Sequence, residues 1–171
     1  MRKLFTLFAL FLLSASPVIA NDVAQKYVPN AEQVGTGRLS VVFWDVYDAT
    51  LYAPNGQWDS RKPYALSIRY FREIEGADIA KRSVEEMQKQ GFSDAAKLTK
   101  WQTQMRDIFP DVKNGSELTA VFTHQKSTDF YSDGKHIGSI KGTEFGTQFF
   151  NIWLSEKTSE PELRRKLLGL S

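Results

Sequence analysis

Apolar and β-branched residues predict two strands in the first part of the chain. Residues 39–52 are rich in Val, Phe, Trp, Tyr and Thr, which fit a pleated and half-buried surface. They follow a polar lead-in over residues 21–33, and the Pro-Asn-Gly sequence at residues 54–56 predicts the turn that ends them. A second strand is expected over residues 64–74, where apolar residues and arginines alternate imperfectly.

Two helices are predicted next, because apolar residues recur at spacings of three and four. The first covers residues 76–90 and is stopped by Gly91. Ser93 is the expected N-cap of the second helix, and Pro110 marks its end.

Shorter strands are predicted over residues 117–124, 128–131 and 136–140. The dipeptide Asp133-Gly134 favours a tight hairpin turn between the last two. These strands return the chain to β-structure after the helix pair.

Two helices are expected to close the chain. The first has an apolar face that predicts deep burial, formed by Phe145, Phe149, Phe150, Ile152, Trp153 and Leu154. In the last helix, Ser159 and Glu162 have the spacing of a capping box.

This order of elements predicts an α+β fold. Strands, a helix pair, a second group of strands and two closing helices do not make a series of βαβ units. A largely antiparallel sheet packed against a layer of helices is the arrangement that buries the apolar faces.

The first twenty residues have the pattern of a secretory signal peptide. Two basic residues precede an apolar run over residues 4–13, and small residues lead to Ala20. The run is too short to cross a bilayer as a helix, which argues against an uncleaved anchor. We therefore expect cleavage before Asn21 and a periplasmic location. Residues 21–171 are expected to form a single domain without a membrane span.

Removal of this segment changes the charge balance. The whole chain has 22 Lys and Arg against 20 Asp and Glu, and the loss of Arg2 and Lys3 leaves 20 of each. A formally neutral chain lacks the basic surface that nucleic-acid binding requires, so nucleic acid is not an expected partner. The chain has no cysteine, and its two histidines, His124 and His136, lie in different predicted strands. No metal or other cofactor is expected.

Three sequence blocks carry a family resemblance: GTGR at residues 35–38, VYDATLYAP at residues 46–54, and FFNIWLSEKTSEPELRRKLLG at residues 149–169. Together they resemble the chalcone isomerase-like family, specifically its bacterial exported branch. The resemblance implies an antiparallel sheet with a helical layer and a ligand in the cleft between them. This agrees with the α+β order and adds the cleft.

The resemblance also implies five candidate ligand-binding residues. The arginine that the isomerases have at the start of this region matches Arg38, and the threonine of the following strand falls on Tyr47. Helix positions that the isomerases fill with tyrosine, lysine and asparagine fall on Ile79, Arg82 and Glu86. Because the catalytic hydrogen-bond donors are largely replaced, stabilisation of the reacting oxyanions is lost, and no catalytic residue is assigned.

Family members that bind fatty acids keep the arginine and have a tyrosine in the adjacent strand, and this pair holds the ligand carboxylate. Arg38 and Tyr47 are expected to do the same, because a guanidinium and a phenol both donate hydrogen bonds to a carboxylate. The leading prediction is a monomeric, non-catalytic binder of a small apolar ligand with an acidic head group, such as a fatty acid. An unbroken strand would direct the two side chains to opposite faces, so a turn or bulge is required between them.

Two alternatives stay open at this point. An isomerase or lyase would need Arg82, Glu86 or Tyr47 as its acid or base, whereas a cell-envelope interaction protein would fill the cleft with its own side chains. Asp45 and Asp48 are expected on opposite faces of a strand and are set aside as an acid–base pair. Five aromatic residues are interpreted as core rather than pocket lining: Trp44, Trp101, Phe145, Phe149 and Trp153.

Overall fold

A six-stranded antiparallel sheet forms the centre of the computed structural model, which describes residues 21–123 and 127–170. Its strands are β1 (Ala31–Val41), β2 (Trp44–Pro54), β3 (Tyr64–Tyr70), β4 (Glu117–Phe122), β5 (Ser127–Ser132) and β6 (Lys135–Lys141). Each strand pairs with the next one along the chain. The predicted signal peptide, residues 1–20, lies outside the described residues, as does His124.

Five helices complete the fold: α1 (Asp22–Tyr27), α2 (Gly76–Lys89), α3 (Ala95–Ile108), α4 (Thr143–Leu154) and α5 (Pro161–Leu167). Helices α2 to α5 pack on one face of the sheet, the inner face, and α1 packs on the opposite, outer face. The predicted α+β architecture is confirmed, although α1 was not predicted. Within residues 21–123 and 127–170, no helix has the length and apolarity needed to cross a membrane.

The inner face holds the main core, and α4 supplies its aromatic part. Phe150 is 1% exposed, and its ring centroid lies 4.8 Å from that of Tyr64 and 6.0 Å from that of Phe122. The other apolar residues predicted for this helix are also buried: Phe145, Phe149, Ile152, Trp153 and Leu154. The predicted deep burial of the helix is therefore confirmed.

Residues 39–52 form two strands, where the sequence predicted one. A two-residue turn, Val42 and Phe43, separates β1 from β2. Val42 has φ 59, a conformation that β-branched residues rarely adopt. The turn contains no Gly, Pro, Asn or Asp, so it has no local sequence signal. The expected polar lead-in, residues 21–33, contains α1 and the start of β1.

Helix and turn boundaries agree best with prediction where glycine requires a positive φ. Helix α2 ends before Gly91, which has φ 98. Asp133 and Gly134, with φ 45 and 80, form the predicted turn between β5 and β6. In both places glycine adopts the left-handed conformation without a steric cost.

Two predicted helix caps are wrong. Asp94, rather than Ser93, caps α3, because its carboxylate accepts a hydrogen bond from the Lys97 backbone N–H at 3.0 Å. The capping box of α5 is not formed, and its N-cap residue, Glu160, makes no side-chain cap. The Ser159 hydroxyl donates instead to the carboxylate of Glu86, on α2. Tertiary contact thus overrides the local pattern.

Two glycines of the GTGR block allow α5 to pack closely on β1. A Cβ atom on Gly35 would overlap the backbone carbonyl oxygen of Lys166, and one on Gly37 would lie 2.7 Å from Leu163 Cδ1. A side chain at Gly35 would therefore force α5 away from the sheet. The first and third blocks of the family resemblance are in direct contact.

The outer face is more polar than the inner face. Asn21 caps α1 by accepting from the Ala24 backbone N–H at 2.9 Å, and its Nδ2 donates to Glu117 Oε1 at 2.7 Å. Burial raises the pKa of Glu117 above its ordinary value. A smaller core lies between α1 and the sheet, formed by Val23, Ala24, Val28, Ala31, Tyr52, Ala65, Val121 and Tyr131.

Candidate ligand-binding cleft

A cleft of about 450 Å³ opens between the inner face of the sheet and the helices that cover it. Its volume lies within the range of about 300–1,000 Å³ that small-molecule sites occupy. The lining is mostly apolar and includes Leu39, Leu66, Ile68, Ile79, Leu118 and Phe149. The main core therefore contains a hollow that its own side chains leave open.

Two tyrosines, Tyr47 and Tyr70, line this cleft, and a hydrogen bond fixes the hydroxyl of Tyr47. Its hydroxyl oxygen accepts a hydrogen bond from Trp153 Nε1 at 2.9 Å. Burial raises the pKa of Tyr47 to about 12, so the phenol is protonated at neutral pH. Among the described residues its hydroxyl hydrogen has no acceptor. Tyr47 can therefore donate a hydrogen bond to a polar atom within the cleft.

Glu86 lies at the edge of the cleft and is already held by several donors. Oε1 receives Lys89 Nζ and Arg82 Nη2, each at 2.9 Å, and Oε2 receives the Ser159 hydroxyl. Burial acts to raise the pKa of Glu86, but the hydrogen bonds from Ser159 and Lys89 and the charge of Arg82 hold it below its ordinary value. Glu86 is therefore an ionised carboxylate whose two oxygens are occupied.

The charged residues around the cleft are mainly acidic. Arg82 is the guanidinium of the lining, and its side chain is 62% exposed. Asp78, Glu86 and Glu160 also belong to the lining. A ligand with a charged head therefore meets one cation and three carboxylates near the opening.

Arg38 does not lie in the cleft, so the predicted convergence of Arg38 and Tyr47 is wrong. Across the β1–β2 ladder, Arg38 is opposite Asp48, and Leu39 is opposite Tyr47. Residues opposite each other in an antiparallel pair share a face, so Tyr47 points inward with Leu39 and Arg38 points outward with Asp48. A turn does separate Arg38 from Tyr47, as required, but its register keeps them on different faces.

Asp45 and Asp48 were expected on opposite faces of a strand, but the β1–β2 pairing places both on the outer face. Val46 forms a bulge, because Tyr47 pairs with Leu39 while Asp45 pairs with Ser40. Both carboxylates consequently bind Arg38, at 2.7 Å from Asp45 Oδ2 to Nη1 and 2.7 Å from Asp48 Oδ1 to Nε. They form an exposed ion-pair cluster on the outer face.

The structure brings together four of the five residues that the sequence singled out: Tyr47, Ile79, Arg82 and Glu86. Sequence reasoning missed the role of Trp153, which lies 106 residues from Tyr47 along the chain. Phe149 and Trp153, interpreted as core, line the cleft as well as being buried. Trp44, also interpreted as core, is 63% exposed.

Comparisons with known proteins agree with this architecture. The family model described as chalcone isomerase-like matches residues 31–169. A Haemophilus influenzae protein described as uncharacterized is 25% identical over 141 residues, which cover 81% of this chain and 68% of that protein. The crystal structure of an Arabidopsis thaliana fatty-acid binding protein matches with a TM-score of 0.63 and 13% identity, over 81% of this chain and 87% of that one. At this identity, the structural match shows a shared fold.

Proposed function

The chain belongs to the chalcone isomerase-like family, and we propose that it is a non-catalytic binding protein whose cleft holds a fatty-acid-like molecule. The observation that carries the proposal is the open apolar cleft of about 450 Å³ with a protonated phenol in its wall. The fold shared with an Arabidopsis thaliana fatty-acid binding protein adds support. The ligand would lie between the sheet and α2 with α4.

The apolar tail supplies most of the affinity. Burial of about fourteen methylenes stabilises the complex by about 11 kcal/mol at about 0.8 kcal/mol each. Association costs roughly 4–15 kcal/mol, and hydrogen bonds to a charged group contribute about 1.5–3 kcal/mol each. The polar groups of the cleft therefore orient the ligand more than they retain it.

Tyr47 and Arg82 are the proposed partners of an acidic head group. The phenol of Tyr47 has a hydrogen to donate, and the guanidinium of Arg82 is the cation of the cleft lining. Arg82 thus takes the part that the sequence suggested for Arg38. A carboxylate bound there competes with Glu85 and Glu86, which already pair with Arg82.

A neutral head group is the second candidate, and the acidic surroundings favour it. Asp78, Glu86 and Glu160 disfavour a further negative charge at the opening, whereas a hydroxyl or ester oxygen still accepts from Tyr47. The hydrogen bond to Tyr47 is common to both candidates. Palmitic acid and hexadecanol, which have tails of equal length, distinguish them.

Binding is better supported than catalysis or a filled cleft. Tyr47, with a pKa raised to about 12, is a weaker acid than a free phenol. Glu86, the available carboxylate among the candidates, has both oxygens occupied and a lowered pKa. A cleft filled by its own side chains is disfavoured by the observed hollow.

The same proposal includes export to the periplasm as a processed monomer. The charged and apolar pattern of residues 1–20 supports cleavage before Asn21. The bond to be cut joins Ala20 to Asn21, and Asn21 is the N-cap of α1. The cut therefore lies before every described helix and strand. Mass spectrometry of the purified chain and gel filtration test the N-terminus and the oligomeric state.

The main test is to purify the protein under native conditions, extract it with organic solvent and identify the released molecules by mass spectrometry. We expect about one long-chain apolar molecule per protein chain. Palmitic acid or hexadecanol added to the stripped protein should raise Tm, because a ligand at 100 times Kd stabilises the folded state by about 2.7 kcal/mol. An empty extract and an unchanged Tm would contradict the proposal.

Variants at Ile79 test whether the cleft is the binding site. Ile79→Trp directs a large ring into the cleft and should weaken binding at least tenfold, whereas Ile79→Ala enlarges the cleft and should preserve binding. Arg38→Ala is the outer-face control and should bind like the wild type. Circular dichroism confirms that each variant is folded. Equal affinity of Ile79→Trp and the wild type would exclude the cleft.

A further inference from the structure

The turn between β1 and β2 exposes a run of four consecutive apolar residues, which we call the hairpin tip: Val41, Val42, Phe43 and Trp44. Phe43 is 94% exposed and Val42 is 79% exposed. In the described part of the chain, the large apolar side chains that are exposed are these four and Leu170. Contiguous exposed apolar residues of this kind indicate a binding surface.

Folding does not account for the residues of the hairpin tip. Val42, at φ 59, occupies a turn position that favours glycine, and its side chain stays largely exposed in the folded chain. A residue that breaks a local rule without a compensating contact points to a functional requirement. The contact that stabilises an apolar side chain here must come from outside the domain.

The hairpin tip is continuous with the wall of the cleft. Val41 belongs to both, and Val46, at the bulge of β2, lines the cleft a short distance beyond Trp44. Leu39 extends the same apolar surface inward from Val41. An apolar ligand that enters the cleft from the hairpin tip would therefore contact apolar side chains along its path.

Cationic groups accompany the aromatic side chains at this end of the sheet. The Arg72 guanidinium lies 4.9 Å from the Trp44 ring centroid, and Arg72 forms no ion pair within the described residues. Arg38 lies 4.6 Å from the Phe71 ring centroid, but Asp45 and Asp48 both bind it, so that cluster carries a net negative charge. A tryptophan beside an arginine that has no carboxylate partner suits the interface of a bilayer. There the ring lies among the head groups and the guanidinium binds lipid phosphate.

The size of the hairpin tip also favours a lipid surface over a protein partner. Its four side chains expose on the order of 500 Å², whereas a stable protein interface buries about 800 Å² on each partner. Insertion into a bilayer needs only that a few apolar side chains reach the boundary between head groups and acyl chains.

We propose that the hairpin tip docks on a lipid bilayer by inserting Val42, Phe43 and Trp44 among the head groups, and that the cleft takes up its ligand from that bilayer. The docking step stands on the exposed residues alone. The uptake step rests on the proposed function. Arg72 contacts lipid phosphate, which zwitterionic and anionic head groups both carry.

The docking test uses vesicles of phosphatidylethanolamine and phosphatidylglycerol with brominated acyl chains, which quench tryptophans that enter the bilayer. Protein purified from cells that express the full chain is used, and its N-terminus is determined by mass spectrometry. Of the four tryptophans, Trp44 lies at the hairpin tip, so Trp44→Phe defines the quenching that belongs to this residue. We expect quenching in the wild type that disappears in Trp44→Phe.

Substitutions at the hairpin tip test the energetics of docking. The double variant Val42→Ser with Phe43→Ser should weaken vesicle binding at least tenfold, because it removes most of the inserted apolar area. Leu170→Ser is the matched control, since Leu170 is 57% exposed and lies outside the hairpin tip, and it should bind vesicles like the wild type. Vesicle binding by the double variant equal to that of the wild type, or absence of Trp44 quenching, would overturn the proposal. Loss of a wild-type dimer in the double variant would instead assign the hairpin tip to self-association.

Uptake is separated from docking by measuring ligand binding in lipid-free solution. The double variant should keep the wild-type Kd for palmitic acid or hexadecanol in solution but should take either one from vesicles at least tenfold more slowly. Docking by a wild type that binds neither ligand would support the docking step and overturn the proposed function. Equal transfer rates for the wild type and the double variant would overturn the uptake step.

Discussion

The two faces of the β1–β2 hairpin, only one residue apart in register, have opposite chemistry. On the outer face, Arg38 is held by Asp45 and Asp48 in an exposed cluster in which both carboxylates bind the guanidinium. On the inner face, Tyr47 is partly buried and keeps a hydrogen to donate. The comparison shows that a charged residue near a cleft is a weak indicator of binding when its own neighbours already satisfy it. The polar group with spare hydrogen-bonding capacity is the better candidate.

The largest contrast between the faces is expected in stability. Phe150→Ala removes a ring from the inner core and should lower the free energy of unfolding by about 3–5 kcal/mol. Thr50→Ala, on the outer face, should change it by no more than about 0.5 kcal/mol. Urea denaturation measures both. A loss below 1 kcal/mol for Phe150→Ala would show that the inner face is not the stabilising one.

Tyr47→Phe tests the phenol of the inner face. It should weaken ligand binding about three- to tenfold, because a hydrogen bond contributes about 0.5–1.5 kcal/mol. It also leaves Trp153 Nε1 without its acceptor, so Tm should fall. Tyr64→Phe is the matched control, since Tyr64 is buried in the inner core and does not belong to the cleft lining. An equal effect of the two variants on titrated ligand affinity would refute the assignment to Tyr47.

Two carboxylates extend the comparison of the faces to pH. The pKa of Glu86 is lowered in the folded state, so its contribution to stability is present above the ordinary value of 4.5 and is lost as pH falls through the folded pKa. The pKa of Glu117 is raised by burial, so its contribution is present below 4.5 and is lost as pH rises through the folded pKa.

The corresponding variants should therefore have opposite pH profiles in urea denaturation between pH 3 and 8. Glu86→Gln should be less stable than the wild type at pH 7, with the difference shrinking in acid. Glu117→Gln should be at least as stable as the wild type at pH 7, and its advantage should shrink as the pH approaches 4. Parallel profiles for the two variants would contradict the assigned directions.

Arg38→Gln should have the smallest effect. The outer cluster is exposed, so its ion pairs contribute little, and the small decrease in Tm should shrink further at high salt. Ligand affinity should not change, whereas Arg82→Gln should weaken palmitic acid binding and spare hexadecanol. An affinity loss in Arg38→Gln that matches the loss in Arg82→Gln would return Arg38 to the site.

The sequence predicted the fold well because the fold depends on periodicity. Apolar spacings of three and four located α2 to α4, and the Asp133-Gly134 turn located the β5–β6 hairpin. The α+β order followed from the sequence of elements. The turn at Val42 and Phe43 had no such signal, so two strands were merged into one.

The candidate site was predicted only in part, and the reason is register. Without the turn and the bulge at Val46, the faces of Arg38 and Asp45 could not be assigned. The bond from Trp153 to Tyr47 joins residues 106 positions apart, which no local pattern indicates. The positions of Ile79, Arg82 and Glu86 came from the family resemblance, and the structure has all three in the cleft lining because they share one face of α2.

The contact between α5 and the glycines of β1 explains why family membership indicates the fold and not the ligand. Gly35 and Gly37 are small because backbone and side-chain atoms of Lys166 and Leu163 occupy the space beside them. The sequence blocks at residues 35–38 and 149–169 are therefore the two sides of one packing contact. We call this contact the joint, and it identifies the fold rather than the ligand. Specificity among proteins built on that fold should be sought at positions such as Tyr47 and Arg82, which can vary without disturbing the joint.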